Sequence, residues 1–425
     1  MRRIGVGVGL ISLCLAAGFV ASAQNAQPVR LTFWHYFTDR AQLFEEFAGQ
    51  YQALTGVQVK MELYSGDTLG QKFQAAAQAG TLPDLSAAWI GIGQGTAPYA
   101  SKGIILNLNP QMKAGWSKFF TAEQLKAGSF VVGNQFGVTP GAYLVPLDSN
   151  NMQFLYNKTL FKKAGITSTP KTFEQLLADG EKLNKIGAAP LVSGFGSWGT
   201  AAFNQPYMWN IIGSADLERT FSGKMPYSSE PWIKLLGLYK TIGGSNLFGK
   251  GSLAADFPAA ENLFLNGQAG MIFDGSWAIG VFNQQNPNFK DYGVFFPPRI
   301  SGSKYPVYIP GGVGSLAFVV GTSPNAKEAA KFLQWLTEPK QQAKYATASF
   351  NLPANVAVAK SIPLTENLTA FASRMNSTVP TLKHTMKPAV ETTMVAGIQR
   401  ILEGRDTPEN VTRLMDQAHK TDKAQ

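Results

Sequence analysis

Cysteine is almost missing from these 425 residues; there is one, Cys14. It sits in an apolar leader, so the chain beyond it has no thiol. That excludes disulfide frameworks and thiolate metal centres. Histidine is nearly as scarce, with His35, His384 and His419. No HExxH and no His/Cys/carboxylate spacing occurs, so a metal-dependent hydrolase has no ligand set. Charged residues make up 15%, and no Lys/Arg run exceeds two. A nucleic-acid binder needs a basic stripe on a known module, and neither is present. The net charge is +10, or +8 without Arg2 and Arg3. Scattered this way, it reads as a solvated basic surface, with affinity for an anionic membrane face or an acidic ligand as the other reading. There is no P-loop, no G-x-G-x-x-G after a strand and no G-x-S-x-G elbow. Gly196-Ser197-Trp198-Gly199 lacks the elbow spacing, and Gly311-Gly312-Val313-Gly314 precedes a strand rather than a helix. Past the leader no apolar run of about 18 residues exists, so no transmembrane helix is expected.

What is present begins with that leader. Met1-Arg2-Arg3 is basic, Ile4 to Val20 is apolar, and Ala21-Ser22-Ala23 is a small-x-small cleavage pattern. Residues 1–23 read as a secretory signal peptide cut before Gln24. Leu13 is not the small residue a lipid-acceptor cysteine wants before it, so Cys14 is not expected to carry an anchor. Arg2-Arg3 lacks the rest of a twin-arginine pattern, which leaves ordinary secretion. Hydrophobic residues at 45% mark a globular chain. The length suggests two or three domains.

Along the chain, Val29 to Trp34 alternates as a first strand, with Thr32 against Trp34, a core indole. His35 to Thr38 is the loop at its carboxyl end. Asp39 caps a helix with Leu43, Phe44, Phe47 and Tyr51 inward, ended by Thr55-Gly56. Val57 to Leu63 is a second strand, Leu69 to Ala79 a second helix closed by Gly80, and Leu82 to Trp89 carries a third strand. Strands alternating with helices give a parallel α/β sheet. Phe154 to Lys158 begins a second set of elements. Thr172 and Gln175 form a capping box for a helix running to about Ile186. Gly194 to Gly213 is rich in glycine and aromatics. Pro140 to Met152 reads as an insertion. The tail from Asn367 to His419 is mostly helical, with Phe371, Met375, Val390, Met394, Ile398, Ile401, Val411 and Leu414 as its buried positions.

The most informative stretch is Asn266 to Ile279. A polar turn leads into a short apolar run, Ala269 to Phe273, that suits a buried strand. Asp274, Gly275, Ser276 and Trp277 follow. The carboxyl end of a strand in an open α/β sheet is where ligands bind. A carboxylate beside an indole face suits a ligand with hydroxyls and a C–H-rich face, such as a sugar. A turn aspartate and a core tryptophan would have the same sequence. A secreted glycosidase is the enzyme alternative and needs two carboxylates across one bond. Asp84 and Asp274 are the candidates, and Asp84, after Pro83, suits a structural turn. Aromatics are plentiful at strand ends: Tyr36, Trp89, Trp198, Tyr207, Trp209 and Trp277. Stacking without a paired acid and base favours binding over turnover.

The whole chain after the leader resembles the extracellular sugar-binding proteins of ABC importers (solute-binding protein family 1), the group that includes maltodextrin-binding proteins. Six pieces match in the family's order: Leu31 to His35; Leu82 to Leu85 with Trp89; Phe154 to Gly165; Pro170 to Leu176; Gly267 to Met271 with Gly275-Ser276-Trp277; and Asn325 to Leu333. The resemblance implies an α/β, two-lobed, type II periplasmic-binding-protein-like fold with a ligand cleft between lobes and crossing strands as hinge. One lobe would take 24–140 plus 311–350, the other 141–310 plus 351–425. Family sugar contacts carry over to His35, Tyr36, Trp89, Gln205, Tyr207 and Trp277. Asp274 and Gly312 are added from position, and Asp84 and Trp198 from their neighbourhood. The resemblance further implies a carbohydrate ligand, permease transmembrane subunits with a cytoplasmic ATPase as partners, no cofactor, a monomer, and a periplasmic or cell-surface location. A sugar phosphate or glycerol-phosphate-type ligand is the alternative within binding. Gln205 stands where maltodextrin binders often have Glu before Pro-Tyr, and Glu391 stands near a family aromatic.

Overall fold

The alternating stretch that opens the mature sequence forms a strand, β1 (Arg30–His35), with Leu31 and Phe33 buried. The computed structural model describes residues 1, 28–88, 91–93, 95–249, 251–380 and 386–421. The expected leader, Trp89 and His384 lie outside the described residues. Helix α1 (Ala41–Thr55) leads to β2 (Gln58–Leu63), and α2 (Gly66–Ala79) leads to β3 (Leu85–Ala87). Both helices stop at a glycine in the left-handed region, Gly56 at φ 77° and Gly80 at φ 70°, where a Cβ would be strained. β1 pairs in parallel with β2 and β3.

Further on come β4 (Val145–Pro146), the long strand β5 (Asp148–Asn157), helix α3 (Phe173–Lys185), β6 (Ala189–Val192) and helix α4 (Gly199–Ile212). Helix α5 (Phe257–Leu265), β7 (Ala269–Gly275), helix α6 (Ala278–Gln285) and β8 (Tyr292–Phe295) follow. The chain continues through β9 (Ile309–Val313), β10 (Leu316–Val319), α7 (Ala326–Leu336), α8 (Pro339–Ser349) and β11 (Leu352–Pro353). It ends with α9 (Glu366–Ala372), β12 (Thr378–Val379), α10 (Pro388–Leu402) and α11 (Pro408–Thr421).

Two sheets result. The first runs β2-β1-β3-β10-β4, and the second β12-β9-β5-β7-β6 with β8 and β11 also on β5. In the second, β5 lies antiparallel to β7, with Gln153 opposite Asp274 and Met152 opposite Gly275. Each sheet has its own apolar core. The first draws on 31–147 and 316–354; two clusters around the second begin at Met152 and Leu155. The protein is therefore two-lobed.

The chain crosses between sheets from β4 to β5 and back from β9 to β10. Residues 140–152 hold both β4 and the start of β5, so they form the first crossing. Asp148 ties the crossings together. Its Oδ1 accepts from Ser315 N at 2.7 Å, and its Oδ2 accepts from Arg40 Nη2 at 3.1 Å and Tyr345 Oη at 2.6 Å. Gly314 leaves room for this: a Cβ there would lie 1.9 Å from Asp148 Oδ1. Gly312, expected at the ligand, sits in β9 opposite Asn150, so its backbone serves the crossing.

Two smaller expectations fail. Asp39 does not cap α1; Arg40 occupies that position, and Asp39 Oδ2 accepts from Arg40 Nη1 at 2.7 Å. In the tail, Met375 and Leu414 are half-buried, and Met415 takes the inward place.

Candidate functional site

The second lobe presents an aromatic wall at the carboxyl end of β7. Strand alternation cannot continue past Gly275, because the chain turns there into α6 with Trp277 as its first flank. The indole folds back over Gly275: a Cβ on that glycine would lie 2.0 Å from the ring. Trp198, at the start of α4, stands 6.0 Å from Trp277 and 4.6 Å from Phe257 between ring centroids. Trp198 is 42% exposed, so this cluster offers a ring face to solvent. A large exposed indole is the informative case, since aromatic side chains prefer burial.

Beside the rings lie buried polar atoms. Asp274 and Ser276 are fully buried, and Asp274 Oδ1 accepts from Gly275 N at 2.7 Å. Asp274 Oδ2 and Ser276 Oγ have no hydrogen-bond partner. Glu261, from α5, is also buried and faces Asp274. Burial, then the neighbouring Asp274 charge, pushes the Glu261 carboxyl up to about 10; burial pushes Asp274 up to about 7. Two carboxylates side by side cannot both ionise cheaply. A proton on Glu261 supplies the donor that Asp274 Oδ2 otherwise lacks.

The opposite side is the loop after β1. Tyr36 is half-buried and donates from its hydroxyl to Ala88 O at 3.2 Å. Asp39 reaches the second lobe: a Cβ on Gly280 of α6 would lie 3.6 Å from Asp39 Oδ2, and the Asp39 charge also raises Glu261. The two walls therefore meet at Asp39, α5 and α6.

Several expected site residues are elsewhere. His35 is buried, with its ring stacked on Phe37 at 5.5 Å and Phe44 at 5.6 Å. Burial and the nearby Arg40 charge lower its pKa to about 4, so it is a neutral core ring. Asp84 braces the first lobe: its carboxylate accepts from Thr32 N at 2.8 Å, from Asn325 Nδ2 at 3.2 Å and from Ser323 Oγ. Gln205 is fully buried and donates from Nε2 to Pro380 O at 2.8 Å. Tyr207 packs between Phe173 at 5.2 Å and Phe203 at 5.3 Å. Both follow from α4 being buried on nearly every face. Trp277, Asp274, Trp198 and Tyr36 are the expected residues that border the two walls.

Sequence reasoning missed Glu261, Phe257 and Asp39. Glu261 left a signal: it is a lone acid in the inward stripe Phe257, Ala260, Phe264, Leu265. Asp39 left none, because its role depends on which lobe faces it.

Comparison with known proteins supplies the family. The profile described as "Bacterial extracellular solute-binding protein" matches residues 35–343. The chain is 23% identical over 359 residues to a multiple sugar-binding protein of Streptococcus mutans, covering 80% of this chain and 78% of that one. It is 25% identical over 360 residues to the sn-glycerol-3-phosphate-binding periplasmic protein UgpB of Rhizobium meliloti, covering 82% and 80%. Among solved structures, a chitin oligosaccharide binding protein superposes with a TM-score of 0.80 at 23% identity, covering 92% of this chain and 98% of that one. That likeness is one of fold.

Proposed function

We propose that this chain, which belongs to the bacterial extracellular solute-binding proteins, is the substrate-binding component of an ABC importer and takes a carbohydrate between its lobes. The observation that carries the sugar reading is the wall of Trp277, Trp198 and Phe257 beside Asp274 and Ser276. Ring faces cover the C–H side of a sugar, each stack worth about 0.5–1.5 kcal/mol beyond the area buried. The unpartnered Ser276 hydroxyl suits a sugar hydroxyl, since a buried polar atom left unpaired costs about 1–3 kcal/mol. The lobes, 24–140 plus 311–350 and 141–310 plus 351–425, would close about the crossing strands. A ligand drives that closure by its higher affinity for the closed form. The closed receptor would then hand its cargo to the permease subunits at the membrane surface.

A phosphorylated ligand fits this wall less well. Asp39 and Asp256 place negative charge there, and Arg40 is already held by Asp39 and Asp148. Hydrolysis is also disfavoured. Glu261 and Asp274 bond to each other, whereas glycosidase carboxyls stand about 5 Å or more apart to flank the scissile bond.

A thermal-shift screen against mono-, di- and oligosaccharides tests the proposal, because a ligand stabilises by mass action. A neutral sugar should raise the melting temperature equally at low and high salt, and Trp277→Ala should lose the response. An undiminished shift in Trp277→Ala, or binding confined to phosphate esters, would sink the reading.

A further inference from the structure

We propose that the second lobe carries a separate binding site for a phosphate-bearing small molecule, in the cavity where Lys171, Arg299, Lys304 and Arg374 converge. The cavity holds about 720 Å³, within the range of small-molecule sites (roughly 300–1,000 Å³), and its lining contains no Asp or Glu. Its lining includes none of Trp198, Phe257, Asp274, Ser276 and Trp277, so it is distinct from the wall of Trp277.

The backbone that carries these cations is fixed by hydrogen bonds. The backbone of Arg299 is tied to the α3 entry on both sides: Arg299 N donates to Lys171 O at 3.1 Å, and Phe173 N donates to Arg299 O at 2.9 Å. This fixes Lys171 and Arg299 as neighbours. The Arg374 guanidinium lies over the Phe296 ring at 4.7 Å. The loop carrying Lys304 is braced by buried Asn210, whose Nδ2 donates to Tyr305 O at 2.5 Å and whose Oδ1 accepts from Ile300 N at 2.8 Å. Pro170, Pro297, Pro298 and Pro306 line the same cavity and restrict its backbone, so the site is preformed.

Among the described residues none of the four cations has a salt-bridge partner. The carboxylate of this corner, Glu174, accepts from Ser301 Oγ at 2.6 Å instead. Four like charges around one concavity repel, and an anion of matching charge relieves that repulsion. Guanidinium groups suit phosphate oxygens by their forked donors. Tyr305, 42% exposed, adds a ring face for the rest of such a molecule.

Calorimetry and thermal shift with inorganic pyrophosphate, at ionic strength matched with sodium chloride, test the proposal on the full chain. Pyrophosphate should bind wild type and raise its melting temperature. Arg299→Glu/Arg374→Glu should weaken binding at least tenfold, the milder Arg299→Gln/Arg374→Gln should weaken it less, and Trp277→Ala should leave it unchanged. The charge-reversed protein should keep its sugar response, which separates this site from the interlobe one. No response beyond the chloride control, full binding by Arg299→Glu/Arg374→Glu, or loss in Trp277→Ala would overturn the assignment. Pelleting with phosphatidylglycerol vesicles without any pyrophosphate response would overturn it too, by making the surface a membrane contact.

Discussion

At the residue scale the Asp274–Glu261 pair is the feature with the clearest measurable consequence. An unfolded Glu titrates near 4.5, while folded Glu261 is raised to about 10. Between those values the folded state holds a proton that the unfolded state has released. Its contribution to stability is therefore present at low pH and is lost as pH rises through that window, by at most about 1.4 kcal/mol per pH unit. Asp274, raised from 3.8 to about 7, acts in the same direction. Glu261→Gln removes Glu261's share of the linkage and keeps the shape. It is expected to be more stable than wild type at pH 8 by on the order of 1–3 kcal/mol, and to converge on it near pH 5. Urea unfolding of both proteins at both pH values checks this; a difference independent of pH would refute the shared-proton account. Gly275 belongs to the same scale. Its missing side chain is what lets the Trp277 ring lie where it does.

At the scale of elements, local signals worked where the chain's own neighbours decide the conformation. The capping box at α3 is present in full: Gln175 N donates to Thr172 Oγ1 at 3.3 Å, and Thr172 N donates to Gln175 Oε1 at 3.3 Å. Thr172→Ala should cost about 1 kcal/mol and lower the melting temperature by about 2–4 °C for a lobe of this size. Calorimetry with a Thr172→Ser control, expected to retain the cap, measures it. Helix α4 was not legible. It is buried on nearly every face, polar positions such as Asn204 and Asn210 included, and carries Pro206 inside, so neither period nor propensity marks it. Once it is a helix packed all round, Gln205 and Tyr207 become core residues rather than ligand contacts.

At the scale of the molecule, the lobes are joined through buried charge. Arg40, from the first lobe, holds Asp39 and the crossing-strand Asp148 with all three side chains nearly inaccessible. Removing one partner of such a network leaves the others buried and unpaired, at about 3–5 kcal/mol. Arg40→Ala should therefore lower the unfolding free energy by about that amount, read by denaturant titration. A loss below about 1 kcal/mol, the level of an exposed pair, would show that the network does not hold the crossing.

Much of this protein was determined by its sequence alone. The strand–helix alternation, the glycine stops after α1 and α2, the α3 cap and the aromatic turn after β7 all depend on residues within a few positions of each other. Six family pieces in order settled the two-lobed class, and with it the receptor reading. Tertiary structure decided which candidates could meet a ligand. Asp84 and Asp274 look alike in sequence as carboxylates beside a strand, yet one is saturated by Thr32, Ser323 and Asn325 while the other is paired with Glu261 beside Trp277. His35 and Trp198 both looked like cleft rings, and packing buried the first and exposed the second. The cations around the second-lobe cavity come from 171, 299, 304 and 374, and no pattern in the chain links them. Burial, partner satisfaction and the convergence of distant charges depend on contacts far apart in sequence, and these exist only after the lobes have folded.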